Sequence, residues 1–183
     1  MSATRLSLML CAGLLAGCGA APVIDLPETM ALMPVAPGQS LPYGQLATAC
    51  DTPEGQMGTR IDVSGQYALY DTDPGATGPR TQYVTGFNDG CARQFTAALA
   101  MFGDLEFHET MRYAQGGDYT RTDTAYETIK AQVCGVPSGQ PCGGQLESLS
   151  QNTAFLTIYR AFGSSSSFGD VLLSAGEVVA ADI

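Results

Sequence analysis

Hydrophobic and polar positions alternate in some stretches of this chain and recur at helical spacing in others, and the change of period is the first guide to its fold. In QYALY (66–70) and RTQYVTGF (80–87) β-branched and aromatic residues predict two strands, with Tyr83, Thr85 and Phe87 sharing one face. The intervening DTDPGATGP is dense in turn formers and reads as a loop. After Asn88 the period changes. Cys91, Phe95, Ala98, Leu99 and Phe102 recur at spacings near three and four, which predicts a helix capped by Asn88 or Asp89 and ended by Gly103. LEFHETMRYA (105–114) predicts a second, short helix, broken by Gly116-Gly117. A third runs from Asp123 to Val133, with Ala125, Ile129 and Val133 on one stripe and Thr124 and Glu127 at capping-box spacing. NTAFLTIYRAF (152–162) reads as a buried strand and GSSSSFG (163–169) as a loop. DVLLSAGEVVAADI reads as a hairpin about Ala175-Gly176. Strands, then helices, then strands predict an α+β domain over residues 45–183: an antiparallel sheet with two or three helices packed on one face.

The first residues follow a different pattern. Arg5 is the one charged side chain of residues 1–17, and LSLMLCAGLLA (6–16) is an uncharged, largely apolar run. That run is too short to span a bilayer and has the form of a secretory signal. It ends in Leu15-Ala16-Gly17-Cys18, a branched apolar residue, two small residues and a thiol. This tetrapeptide resembles the lipobox of bacterial lipoproteins. The resemblance implies a signal peptide over 1–17, diacylglycerol transfer to the Cys18 sulfur, cleavage before Cys18 and acylation of the new amino terminus. The other reading is an ordinary signal in which Cys18 is only a small apolar residue. Gly19 rather than Asp follows the cysteine, which for such lipoproteins implies an outer-membrane address. Residues 18–44 then hold Pro22, Pro27, Pro34, Pro37 and Pro42. Proline at that density predicts an extended tether, or an arm lying along the domain.

Charge and cysteine content narrow the partners. The chain carries a net −10, and its eight Lys and Arg never cluster, so the electrostatic footprint of nucleic-acid binding is missing. No polybasic segment adjoins Cys18, which leaves membrane attachment to the acyl chains. Of six cysteines, Cys11 lies in the signal and Cys18 is the lipid acceptor. The remaining four are an even count, which in an exported chain predicts two disulfides. Three pairings are possible. The short, turn-rich GVPSGQP lets Cys134 meet Cys142, and Cys50 with Cys91 follows by elimination.

Several stretches invite chemistry, and each has a plainer reading. Cys91 at a helix start, with His108, would make a Cys–His pair, but the even cysteine count favours a disulfide. His108 in EFHE lacks the second histidine of a zinc helix and reads as a surface residue among carboxylates. Asp71-Thr72-Asp73-Pro74-Gly75 opens like a calcium loop without its closing Glu, and reads as a solvated turn. Tyr67, Tyr70, Tyr83 and Tyr159 can line a pocket, though aromatics at strand spacing serve packing more often. No cofactor, metal site or catalytic residue is expected. YVTGFNDGCARQFTAALAMFG (83–103) is similar to uncharacterised lipoproteins of proteobacteria, a resemblance that implies location and no activity. The expectation is an outer-membrane-anchored, periplasm-facing lipoprotein, non-catalytic and acting through envelope proteins. The alternative is a small-ligand-binding or hydrolytic periplasmic domain.

Overall fold

The computed structural model of the chain describes residues 24–26, 28–115, 119–161 and 167–183. The signal, Cys18 and residues 19–23 lie outside them, as do Gly116-Gly117 and most of GSSSSFG. Among the described residues the elements in chain order are β1 (Met33–Pro34), β2 (Ala47–Ala49), α1 (Glu54–Met57), β3 (Thr59–Ser64), β4 (Tyr67–Asp71), β5 (Arg80–Thr85), β6 (Ala92–Ala97), β7 (Leu99–Gly103), α2 (Leu105–Gln115), α3 (Arg121–Cys134), α4 (Leu146–Ser150), β8 (Thr153–Tyr159), β9 (Phe168–Ser174) and β10 (Glu177–Asp182).

The mixed α/β class with antiparallel strands is present, but two sheets replace the single one expected. The larger runs β1-β2-β6-β5-β4-β3 and the smaller β10-β9-β8-β7. All pairings are antiparallel except β1 with β2. The sheets face each other across a core in which Tyr67, Leu69, Val84 and Phe95 meet Ala154, Leu156, Ile158, Val171 and Leu173. On β8 and β9 the intervening residues Phe155 and Leu172 point the other way, into a second core with Leu105, Tyr126, Ile129 and Leu149 of the helices. On the outer side of the larger sheet, Met57 of α1 packs with Tyr70, Tyr83 and Ala92. The layers are therefore α1, larger sheet, smaller sheet, then α2–α4.

The predicted helix over 91–102 is strand. β6 pairs with β5 and β2, then β7 pairs with β8, so one stretch of chain serves both sheets with a bend at Ala98 between them. Phe95 and Ala97 face the central core before the bend, and Ala100 faces it after. The bend shifts a period of two by one residue, which in the sequence imitates helical spacing. The backbone at Ala98 is fully paired: its N–H donates to the Tyr159 carbonyl at 2.9 Å and its carbonyl accepts from Arg80 Nη1 at 2.6 Å. Arg80 is in turn held by an ion pair with buried Asp71. Asp71 is thus a buried partner of the bend and not part of a solvated turn.

Elsewhere the pattern in the sequence and the backbone agree. β9 and β10 form a hairpin through Ala175 and Gly176, both at positive φ (48° and 79°), as a tight antiparallel turn requires. Helix α3 begins earlier than expected, so its capping box is Thr120 with Asp123 and not Thr124 with Glu127. β5 stops at Thr85 because Gly86 takes φ +101°, where an added Cβ would stand 2.2 Å from the Gln66 carbonyl oxygen.

The proline-rich segment lies along the domain wherever it is described. Ile24 and Leu26 pack against the helical core, and Met30 and Leu32 against the central one. The Asp25 N–H donates to Gln132 Oε1 at 2.8 Å, while Gln132 Nε2 donates to the Asp25 carbonyl at 2.7 Å. Gln94 repeats this arrangement farther along: its Oε1 accepts from Gly38 N–H at 2.9 Å and its Nε2 donates to the Gln39 carbonyl. Met30 N–H donates to the Val178 carbonyl on the β10 edge at 2.9 Å. Two glutamine side chains and a strand edge thus hold an extended strap to the surface.

Disulfides join Cys50 to Cys91 and Cys134 to Cys142. The first ties the β2 end to the β6 start; the second closes the loop after α3. On chain entropy the longer closure stabilises by about 3.9 kcal/mol and the shorter by about 2.6 kcal/mol. Urea unfolding of the Cys50→Ala/Cys91→Ala and Cys134→Ala/Cys142→Ala proteins should therefore show the larger loss for the first pair.

Candidate functional site

The densest set of ionisable side chains lies where α2 and α3 cover the smaller sheet. Helical spacing puts His108, Glu109, Arg112 and Tyr113 on the inward side of α2. It places Asp123, Tyr126, Glu127 and Lys130 on the inward side of α3. Their neighbours are apolar, so each charge has to be paired within the cluster.

Lys130 is fully buried. Its ammonium stands 2.7 Å from Glu127 Oε2, donates to the Tyr113 hydroxyl and lies 4.5 Å from the centre of that ring. The Tyr113 hydroxyl donates to Glu127 Oε1 at 2.6 Å, and Gly139 N–H donates to Glu127 Oε2 at 2.9 Å. Burial works to raise the Glu127 carboxyl, but Lys130, Tyr113 and Gly139 outweigh it and hold the group below the ordinary range. Burial and the Glu127 carboxylate push the Tyr113 hydroxyl far up.

Glu109 forms the adjoining unit. It accepts from the Tyr126 hydroxyl at 2.8 Å and, through both oxygens, from the backbone N–H of Cys142 at 3.0 and 3.2 Å. Burial and the carboxylate keep the Tyr126 hydroxyl protonated far beyond neutrality. Together Glu109 and Glu127 reach from the helices to the loop closed by Cys134–Cys142, so the disulfide and the charge cluster brace each other.

His108 occupies the third unit, against the sheet. It is largely covered, stacked on Phe155 with ring centres 3.9 Å apart, and set edge-on to Tyr126. The surface position expected for it is overturned, because α2 turns this side chain toward β8. Its Nε2 is 3.3 Å from Asp123 Oδ1, while Arg112 Nη2 meets Asp123 Oδ2 at 2.5 Å. Burial lowers the imidazole pKa against the opposing pull of Asp123, Asp170 and Glu109. Burial also raises the Asp170 carboxyl, which accepts from the Thr157 hydroxyl at 2.7 Å. At the start of α3, Asp182 accepts from both the N–H and the hydroxyl of Thr122 at 2.8 and 2.9 Å. A carboxylate there suits the positive end of the helix.

The other candidates fall outside this cluster. Cys91 is in a disulfide and precedes a strand of the larger sheet, whereas His108 lies on α2 against Phe155 of the smaller sheet. Tyr67, Tyr70 and Tyr83 are buried in packing positions. The Tyr67 hydroxyl accepts from Gly176 N–H at 2.9 Å, and burial pushes its pKa up to about 12. Tyr159 rests against Phe168. Lys130 and Glu109 were not singled out by their sequence context, and Glu127 only as a capping-box partner. The one available signal was that Glu127 and Lys130 are the only charges between Thr124 and Gln145.

A groove of about 680 Å³ opens between the strap at Glu28–Ala31, the first turns of α3 and Val179–Ala180 of β10, with Tyr119 and Arg121 at its rim. Among the described residues no helix is long and apolar enough to cross a membrane. Comparison of the chain with family models, curated proteins and solved structures finds no match.

The His108 environment has a consequence for stability. Its folded pKa lies below the ordinary 6.5, so the unfolded chain takes up a proton that the folded one refuses. The contribution is intact above pH 6.5 and is lost as pH falls below it, toward the lower folded pKa. Urea titrations between pH 7 and pH 5 should show this decline in the native sequence and a shallower one in His108→Gln.

Proposed function

We propose that this chain is an outer-membrane lipoprotein, anchored by acyl chains on Cys18, whose domain faces the periplasm and works through contacts with other envelope proteins rather than by catalysis. The observation that carries the reading is the tetrapeptide Leu15-Ala16-Gly17-Cys18 at the end of an uncharged apolar run. Two disulfides fit an oxidising compartment. The non-catalytic part rests on how the charges are used. Glu127 and Lys130 pair with each other, and the two carboxylates accept from tyrosine hydroxyls and backbone N–H groups. Such pairing stabilises a fold, and these bonds of the three groups all go to the protein itself.

A second reading, a small-ligand site, is favoured by the groove beside the strap, where Glu28, Tyr119 and Arg121 offer polar contacts. Titration with small anions and sugars, followed by calorimetry, should then show binding that Arg121→Ala weakens, whereas no heat with either protein would contradict this reading.

The anchor is tested by Cys18→Ala. The native protein should take up labelled palmitate and sediment with outer membranes. The variant should fold, lose the label and leave that fraction. Label retained on Cys18→Ala would contradict the reading.

A further inference from the structure

We infer that the strap fixes the orientation of the domain on the bilayer, with the outer face of α3 and the Cys134–Cys142 loop lying against the lipid headgroups. The inference rests on lipidation of Cys18 and adds to it a specific face.

The first argument is reach. A free tether over residues 18–44 would extend about 80 Å and allow the domain any orientation. The described strap is seated from Ile24 onward: Ile24 and Leu26 on the helical core, and Asp25 in a reciprocal pair of hydrogen bonds with Gln132 of α3. Ile24 stands six residues after Cys18, and six residues reach at most about 20 Å. A compact domain of this size measures about 40 Å across. The anchor therefore leaves the surface beside Gln132 on a leash about half the width of the domain. The opposite layer, where Glu54 opens α1 outside the larger sheet, cannot be brought to the same bilayer without unseating the strap.

The second argument is charge. The chain is strongly acidic at −10, and a headgroup layer containing anionic lipid repels acidic surface. The surface at the strap's exit is the exception. Every exposed position from Thr124 to Gln145 is uncharged, among them Thr128, Ala131, Gln132, Pro137 and Ser138. The two charges in that span, Glu127 and Lys130, are buried against each other. Asp25, Glu28, Glu106 and Arg121 border this face and carry both signs. An uncharged, hydroxyl- and amide-bearing surface meets headgroups without the cost of desolvating a charge.

The test uses the full-length lipidated protein in vesicles of phosphatidylethanolamine and phosphatidylglycerol, with a nitroxide on a fraction of the headgroups. Ser138→Cys, Thr128→Cys and Glu54→Cys each supply one free thiol for a fluorophore. Labels at Ser138 and Thr128 should lose fluorescence to the nitroxide, and the label at Glu54 should keep it. A ten-residue Gly/Ser insertion after Ala21 should abolish that difference while the protein still floats with the vesicles. Flotation separates the two ideas. Native protein that fails to float, or Cys18→Ala that floats equally, contradicts the anchor. Native protein that floats with equal quenching at all three positions, or more at Glu54, overturns the orientation alone. Floating protein unquenched at Ser138 and cross-linked there to a second copy would assign the face to self-association, and would also overturn it.

Discussion

Lys130 has to keep an ammonium in the interior of a small domain, and much of the helical layer is arranged around that requirement. A buried cation is tolerated only where opposite charge and hydrogen bonds replace water. Here Glu127 comes from the preceding turn of the same helix, Tyr113 from α2, and the N–H of Gly139 completes the carboxylate from the disulfide loop. The three elements meet because the charge needs all of them. Glu109 extends the same bracing, accepting directly from the Cys142 N–H and from the Tyr126 hydroxyl. A polar network of this kind fixes one relative placement of α2, α3 and the loop, where an apolar interface would accept several.

Turning its charges inward gives α3 an unusual outside. Beyond Arg121 at its first turn, Thr124, Thr128, Ala131 and Gln132 are what α3 presents to solvent, and Gln132 receives the strap. The pairing that stabilises the core also leaves every exposed position from Thr124 to Gln145 uncharged. On the other side of the molecule Asp71 and Arg80 play a comparable part, satisfying the backbone where one strand passes from sheet to sheet.

How far the sequence disclosed this differs from element to element, for physical reasons. The β9–β10 hairpin was legible because Ala175-Gly176 is a local turn signal between two apolar runs, and β8 because its β-branched and aromatic run is continuous. Helix α3 was legible from Ala125, Ile129 and Val133. The segment 92–103 was not, since its bend at Ala98 breaks the alternation that marks a strand. The second sheet was hidden with it. His108 was misjudged, and Lys130 not singled out, because local pattern assigns charged side chains to water. Only the third dimension shows that α2, the disulfide loop and the smaller sheet close over them. The strap was foreseen only as one of two courses, because its seat consists of side chains far away in sequence, Gln94 and Gln132.

The claim that these charges are spent on the fold is tested most directly by a double-mutant cycle on Lys130→Met and Glu127→Gln, followed by urea unfolding. Lys130→Met alone leaves a buried carboxylate without its cation and should cost about 3–5 kcal/mol. Adding Glu127→Gln should restore part of that loss, giving a coupling energy above about 2 kcal/mol. Single losses that simply add, to within about 0.5 kcal/mol, would mean that the two groups do not depend on each other, and would contradict the account.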